Sequence, residues 1–285
     1  MGTLHLVATP IGHLEDVTFR ALRVLREADW VLAEDTRRTR VLLDHFEIPQ
    51  KPSSLHSHNE VGRIERILQA LADGKSVALV SDAGTPLVSD PGAKLVAAVA
   101  EAGFRVEAVP GASALLTALT VSGLETDRVL FLGFLPRKAG ARRQILEAQI
   151  GRPETLVLFE SPRRVAATAA EIAEILGDRK ACLARELTKR HEEILRESVS
   201  ALAERYATEA PRGECTLVVA GASAEEASEA RAWLDEDVDA AIREGLASGA
   251  STKDLAAKLA TKTGRAKRTL YARAVELRKV EGEAG

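Results

Sequence analysis

Two cysteines, a single methionine and an aromatic share of 4% leave this 285-residue chain short of the usual parts for disulfides, thiolate metal sites and stacking platforms. Cys182 and Cys215 form no Cys-x-x-Cys pair, which excludes a disulfide framework and a cysteine-built zinc site. Cysteine usage this sparse suits a reducing cytosol. No apolar run approaches the roughly 18 residues of a membrane span, and no basic stretch followed by an apolar core follows Met1. The expectation is a protein that is neither secreted nor membrane-spanning. Several catalytic fingerprints are missing as well. No Gly-x-Gly-x-x-Gly follows the first strand-like run, which argues against a dinucleotide site. Gly74-Lys75-Ser76 ends like a phosphate-binding loop, but Gln69 stands where the first glycine is required. There is no Gly-x-Ser-x-Gly elbow. His56-Ser57-His58 has the look of paired metal ligands, yet solvated loop histidines are far commoner, and no metal is expected.

What is present reads as globular: 46% hydrophobic and 28% charged residues. The net charge of -3 conceals an asymmetry. Ser223–Glu244 holds eight acidic residues against two arginines, whereas Ser251–Val280 holds nine basic residues against Asp254 and Glu276. A separate basic module with a polyanionic partner follows from that contrast.

Strand-like and helix-like runs alternate along the chain. Strands are expected at Leu4–Ala8, Trp30–Glu34, Val77–Val80, Phe104–Val109, Val129–Phe134, Thr155–Phe159, Lys180–Ala184, Glu193–Val199 and Cys215–Ala220. Amphipathic helices separate most of them, and Ile48–His58 reads as a loop. This alternation predicts an α/β domain over 1–124 and a second over 125–222. An acidic linker over 223–236 and a basic three-helix module over 237–285 complete the expected order. Ser251 with Asp254 three residues on is a helix-start signal, and the pattern of the module is helix-turn-helix-like.

The most informative stretch is Ser81-Asp82-Ala83-Gly84-Thr85-Pro86, set between the apolar run Val77–Val80 and the helix former Ala93–Ala100. Open α/β sheets bind ligands beyond the carboxyl ends of their strands, where such a turn lies. Five more short polar loops, three of them bearing Gly or Pro, end apolar strands: Thr9-Pro10-Ile11-Gly12, Glu34-Asp35-Thr36-Arg37, Pro110-Gly111-Ala112-Ser113, Phe159-Glu160-Ser161-Pro162 and Arg185-Glu186-Leu187-Thr188-Lys189. One such loop is usually structural; six at the same end of two sheets predict a cleft rim.

These loops in this order, with Phe131-Leu132-Gly133-Phe134 and Arg163 after Pro162, resemble the ribosomal RNA small subunit methyltransferase I family over essentially the whole chain. That family is one of the tetrapyrrole-methylase-like, class III methyltransferases. The resemblance implies two α/β domains of the tetrapyrrole methylase type, with S-adenosylmethionine in the cleft between them, and a cytoplasmic homodimer. It also implies methylation of a cytidine ribose 2′-hydroxyl in the decoding region of 16S rRNA, in the small ribosomal subunit. By position, Asp82, Ala83, Gly84, Thr85 and Leu87 would hold the methionine part and ribose of the cofactor. Pro10 would close the floor, Ser113 and Ala114 would touch the cofactor, and Phe159, Glu160 and Leu187 would lie near the adenine. The superfamily often shows a Gly-x-Gly-x-Gly-Asp-like first loop; Thr9–Leu14 departs from it and speaks for the ribosomal branch.

A sulfonium donor carries an activated methyl, so the protein's tasks are alignment and desolvation. The acceptor hydroxyl gains from a base, for which Asp35, Glu160 and Glu186 are candidates, or from Lys189 lowering its pKa. Candidate phosphate contacts are Arg37, Arg38, Arg40, Arg137, Lys138, Arg142, Arg143, Arg163, Arg164, Lys267 and Arg268. Tyr271 is the sole aromatic of the basic module, so a broad stacking platform is not expected. Two rival readings remain: a tetrapyrrole methylase, and a DNA-binding regulator with a small-molecule sensor. The final helix is short of the Asn and Gln that read base edges.

Overall fold

The computed structural model describes residues 2–56, 59–232 and 235–283, so Ser57 and His58 of the histidine loop lie outside the described residues. By contact density the chain divides into two units, residues 1–117 with 186–192 and residues 118–185 with 193–285. The division falls earlier than the expected boundary near Glu125, and the first unit takes back the short segment Glu186–Glu192.

The first unit is a parallel sheet. Its strands are β1 (Thr3–Val7), β2 (Trp30–Ala33), β3 (Ser53–Ser54), β4 (Ser76–Val80) and β5 (Arg105–Val109), in the order β3-β2-β4-β1-β5. Every pairing is parallel. Parallel strands are covered on both faces, which is why Val77–Val80 reads as an unbroken apolar run. The helices are α1 (Phe19–Glu27), α2 (Thr36–His45), α3 (Glu60–Ala72), α4 (Ala93–Glu101) and α5 (Ala114–Ser122), the last of which runs from one unit into the other. Two apolar clusters result. One gathers Val7, Leu25, Leu43 and Val80, and the other Leu4, Ile67, Leu79 and Leu95. Since all five strands point one way, the loops after β1, β2, β4 and β5 emerge at a single edge of the sheet.

The second unit holds β6 (Val129–Phe134), β7 (Thr155–Glu160), β8 (Lys180–Arg185), β9 (Glu193–Ser198) and β10 (Cys215–Val219), ordered β6-β7-β10-β8-β9. Only β6 and β7 pair in parallel; β10 runs antiparallel to both neighbours, and β8 pairs antiparallel with β9. Helices α6 (Ala139–Glu147), α7 (Val165–Leu176) and α8 (Val199–Arg205) contribute to a core of Leu146, Leu158, Ile172, Leu202 and Leu217.

The acidic stretch expected as a linker is helical where described: α9 covers Ala224–Ala232 and α10 begins at Asp235 and runs to Ala247. Ser223 explains the start, because its hydroxyl accepts from Glu226 N while the Glu226 carboxylate accepts from Ser223 N. Helices α11 (Thr252–Thr263) and α12 (Lys267–Glu283) close on α10 around Val238, Ile242, Leu259 and Ala274. Ser251 caps α11 as its spacing predicted, and Gly264 ends it in the left-handed conformation with φ 68°. Arg273 of α12 clamps Asp239 of α10 by donating from Nε and Nη2 to its two carboxylate oxygens.

Helix α4 follows the central loop and lacks a side-chain cap of its own, since Gly92 precedes it. The acceptor comes from α3: the buried Glu60 carboxylate takes a hydrogen bond from Leu95 N at 2.9 Å. We expect Glu60→Ala to cost about 1–3 kcal/mol, through the missing cap and the stranded amide, and Glu60→Gln to keep most of the stability. Chemical denaturation of the two variants checks this.

Candidate active site

Loops at the open edge of the first sheet are tied together by hydrogen bonds, those after β1 and β4 through their own backbone. Thr9 and Gly84 exchange two hydrogen bonds, Thr9 N to Gly84 O at 2.9 Å and Gly84 N to Thr9 O at 3.0 Å. Gly84 holds φ at 85°, and a Cβ there would meet Ile11 Cγ2 at 3.3 Å, so glycine is the residue this bend accepts. Hydroxyls tighten the turn. Ser81 donates to Gly84 O, Thr9 donates to Ser81 O, and Thr85 donates to Ala112 O in the loop after β5. Leu87 and Ser89 also adopt positive φ, 74° and 68°, which is strained for residues with a Cβ. Among the described residues the amides of Ala83, Thr85 and Leu87 have no partner within the protein. A fixed bend with unpaired donors is the form in which a protein cradles a polar ligand.

The segment returned to this unit seats against the first loop. Thr188 accepts a hydrogen bond from His13 N at 3.0 Å. Gly12 makes the approach possible, because a Cβ there would sit 2.5 Å from Lys189 Cγ, 2.6 Å from Thr188 Oγ1 and 2.9 Å from Leu187 O. Glu186 and Thr188 both take positive φ, 52° and 64°, and Lys189 Nζ pairs with Glu186 Oε1 at 2.9 Å. Pro10, Asp35, Asp82–Leu87, Ser113, Ala114, Glu186, Leu187 and Lys189 therefore share one unit, while Phe159 and Glu160 belong to the other.

The candidate bases differ sharply in surroundings. Asp35 caps α2, accepting from Arg37 N and from the Arg37 guanidinium, and those bonds hold its pKa down to about 2. A carboxylate so stabilised is a poor proton acceptor. Glu160 lies enclosed within the second unit. Its carboxylate accepts from Thr168 Oγ1 and Ser161 N, both at 2.7 Å, and pairs with Arg164 at 3.2 Å. With a side-chain exposure of 0% it holds the β7 turn together and has no face left for a substrate. Phe159 packs edge-on to Phe131, with ring centroids 5.0 Å apart.

Most of the candidate phosphate contacts are already engaged. Arg37 pairs with Asp35, and Arg38 approaches Asp82 at 3.8 Å. Arg40 reaches Asp44 at 3.5 Å and the carbonyl of Gln50. Arg142 pairs with Glu171, and Arg143 with Glu147 and Glu174, so both fasten α6, the latter two carboxylates lying on α6 itself and on α7. Arg164 donates to Leu135 O. Arg137, Lys138, Arg163 and Arg268 remain exposed.

Position along the chain gave no sign of one further group. Asp90, in the loop before α4, has its pKa pushed up to about 6, chiefly by burial and then by the neighbouring Glu34 and Asp82 carboxylates. Glu34 is raised for the same reasons, burial first and Asp82 second. The edge of the first sheet thus carries a negative potential that a cationic ligand would relieve.

Two consequences can be measured. Gly12→Ala forces the 186–192 segment away from the first loop, and we expect it to cost about 1–3 kcal/mol in denaturant unfolding. Asp90 binds its proton more tightly folded than unfolded, so stability falls as pH rises from about 3.8 to about 6 and is then level. We expect Asp90→Asn to raise the melting temperature at pH 8, with the gain vanishing below pH ~4 in a series of melts.

Comparison with known proteins bears on the same residues. Residues 3–203 match the model of the Tetrapyrrole (Corrin/Porphyrin) Methylases. Among curated relatives, ribosomal RNA small subunit methyltransferase I of Mesorhizobium japonicum is 46% identical over 98% of this chain and 94% of its own. The enzyme of the same name from Synechocystis sp. is 42% identical over 97% and 99%. Solved structures share the fold at lower identity. A cobalt precorrin-4 methyltransferase superposes with a TM-score of 0.58 at 19% identity, covering 76% of this chain and 94% of its own. The uroporphyrin-III C-methyltransferase of Thermus thermophilus complexed with S-adenyl homocysteine gives 0.55 at 23%, covering 76% and 97%. With a β4 bend that favours glycine, and relatives aligned over almost their full length, this chain belongs to the ribosomal RNA small subunit methyltransferase I family of the tetrapyrrole methylases.

Proposed function

We propose that this methyltransferase moves the methyl group of S-adenosylmethionine to the 2′-hydroxyl of a cytidine ribose in the decoding region of 16S rRNA. The observation that carries the reading is the loop after β4, pinned by Thr9 and Gly84, with the Ala83, Thr85 and Leu87 amides unpaired. Those amides suit the carboxylate and ribose oxygens of the donor. Asp82, with Glu34 and Asp90 near it, suits the positive charges of the amino and sulfonium groups. Transfer removes the sulfonium charge, so the same potential favours donor over product. Departure of the first loop from the pattern of corrin and sirohaem enzymes sets the tetrapyrrole reading aside.

The donor supplies an activated methyl when bound; the chain must orient the acceptor and manage its proton. Asp35 and Glu160 are bound to structural partners, which leaves Glu186 and Lys189. Their pair stands on a turn with two positive φ values, a strain that tends to be kept where a site needs it. In our reading the Lys189 ammonium lies close enough to the hydroxyl to lower its pKa, and Glu186 sets the position of Lys189 and takes up the proton. Exposed Arg137 and Arg163 contribute charge toward the RNA.

The chain works in this reading as a cytoplasmic homodimer on the small ribosomal subunit. Phe134 supports a self-contact: it is 59% exposed on β6, an edge strand, beside Phe159. Among the described residues no helix is long and apolar enough to cross a membrane.

Labelled donor and small subunits lacking the modification test the assignment, with the labelled nucleotide then mapped. We expect Lys189→Met and Glu186→Gln to lower methyl transfer by about 10²–10⁴-fold while calorimetry shows donor affinity unchanged. Equal loss of affinity and rate would instead make the pair part of the donor site.

A further inference from the structure

The first turn of α12 and one face of α6 enclose a groove of about 480 Å³, lined by Gly140 and Gln144 on one side and by Lys267, Arg268 and Tyr271 on the other. A volume of that size suits a single nucleotide. The lining is dictated by helical spacing. Lys267 and Arg268 lie four and three residues before Tyr271, so all three crowd one face of α12. Gly140 and Gln144 stand four apart on α6, and glycine at 140 leaves the wall open, a Cβ there meeting nothing within 4 Å. Arg143 and Glu147 also line the groove and neutralise each other at 3.1 Å. Lys267 and Arg268 differ from Arg143, the other basic residue of this groove, in having no carboxylate partner among the described residues. No acidic residue stands in the first turn of α12 either, so two cations sit uncompensated at the positive end of a helix dipole. Tyr271 is 45% exposed, its ring available to the groove.

We propose that this groove seats one nucleotide of single-stranded RNA, with the phosphate against Lys267 and Arg268, the base on the Tyr271 ring and the Gln144 amide at the base edge. The proposal rests on the RNA substrate reading above and specifies where the basic module grips it. A base must leave its stack to lie on a tyrosine, so single strands are preferred over duplex. The scarcity of aromatics in the module argues against a platform for many bases; it leaves room for one.

The test uses the full chain and a short fluorescent single-stranded RNA, followed by anisotropy over a range of salt. Tyr271→Ala should weaken binding by about ten-fold without altering the salt slope, and Tyr271→Trp should restore it. Lys267→Gln with Arg268→Gln should lower the slope by about 0.7 for each phosphate that is no longer neutralised. Gly140→Trp should fill the groove and weaken binding as Tyr271→Ala does, with every charge kept and the melting temperature unchanged. Native affinity in both Tyr271→Ala and Gly140→Trp, while the unaltered chain still methylates small subunits, overturns the nucleotide seat and leaves the function intact. Equal loss for duplex and single-stranded probes overturns the stacking assignment. An unaltered chain that neither binds RNA nor methylates subunits overturns both readings.

Discussion

Two hydrogen bonds exchanged between the backbones of Thr9 and Gly84 fix the loops at the open edge of the first sheet. Neutral hydrogen bonds each contribute only about 1 kcal/mol net. Their importance here is geometric. They join the loop after β1 to the loop after β4, and Thr85 extends the connection to Ala112 after β5. Three loops from adjacent parallel strands thereby become one hydrogen-bonded piece. The amides that piece does not consume are held in place before any ligand arrives, so little reorganisation opposes binding. Gly84 is where the constraint reaches the sequence, since φ of 85° and the Ile11 methyl together strain any residue with a Cβ.

A methyltransferase acting on RNA faces an electrostatic conflict: its donor is a cation and its acceptor a polyanion. In the reading proposed above, the two charges fall to different units. In the first, Asp82, Glu34 and Asp90 crowd near the fixed bend, and the nearby Arg37 and Arg38 are turned onto Asp35 and Asp82. In the second, Lys267 and Arg268 stand without carboxylate partners among the described residues. The formal charge of -3 reveals none of this, because paired and unpaired charges count alike in a sum.

Elements with a strong internal pattern were legible in the sequence. The apolar strands fall within a residue or two of expectation, with helices between most of them. The short β3 was not legible: Ser53–Ser54 has no apolar alternation, and only β2 beside it makes it a strand. Helix α9 was hidden by its acidic composition, which reads as solvated chain until the Ser223–Glu226 cap is seen. The return of Glu186–Glu192 to the first unit depends on Gly12 lacking a side chain, a fact about two segments far apart in the chain. Asp90 escaped for the same reason, since its shifted pKa comes from burial and from Glu34 and Asp82, brought near it by the fold.

Position in a family pattern and role in a structure are separate facts, and Glu160 shows the difference. The run Glu160-Ser161-Pro162-Arg163 marks the end of β7 clearly enough to identify the family, and a carboxylate there invites a catalytic reading. Burial decides against it. Both carboxylate oxygens are spent on Ser161, Thr168 and Arg164, and Arg164 continues to Leu135 O, so the charge closes a turn against α7. A buried carboxylate with all its partners satisfied is costly to disturb, which makes it a good structural anchor and a poor base. Glu186 is the opposite case: a partly buried carboxylate on a strained turn, paired with Lys189. Between two glutamates that a motif cannot rank, solvent access and backbone strain separate the buried anchor from the one proposed as the proton acceptor.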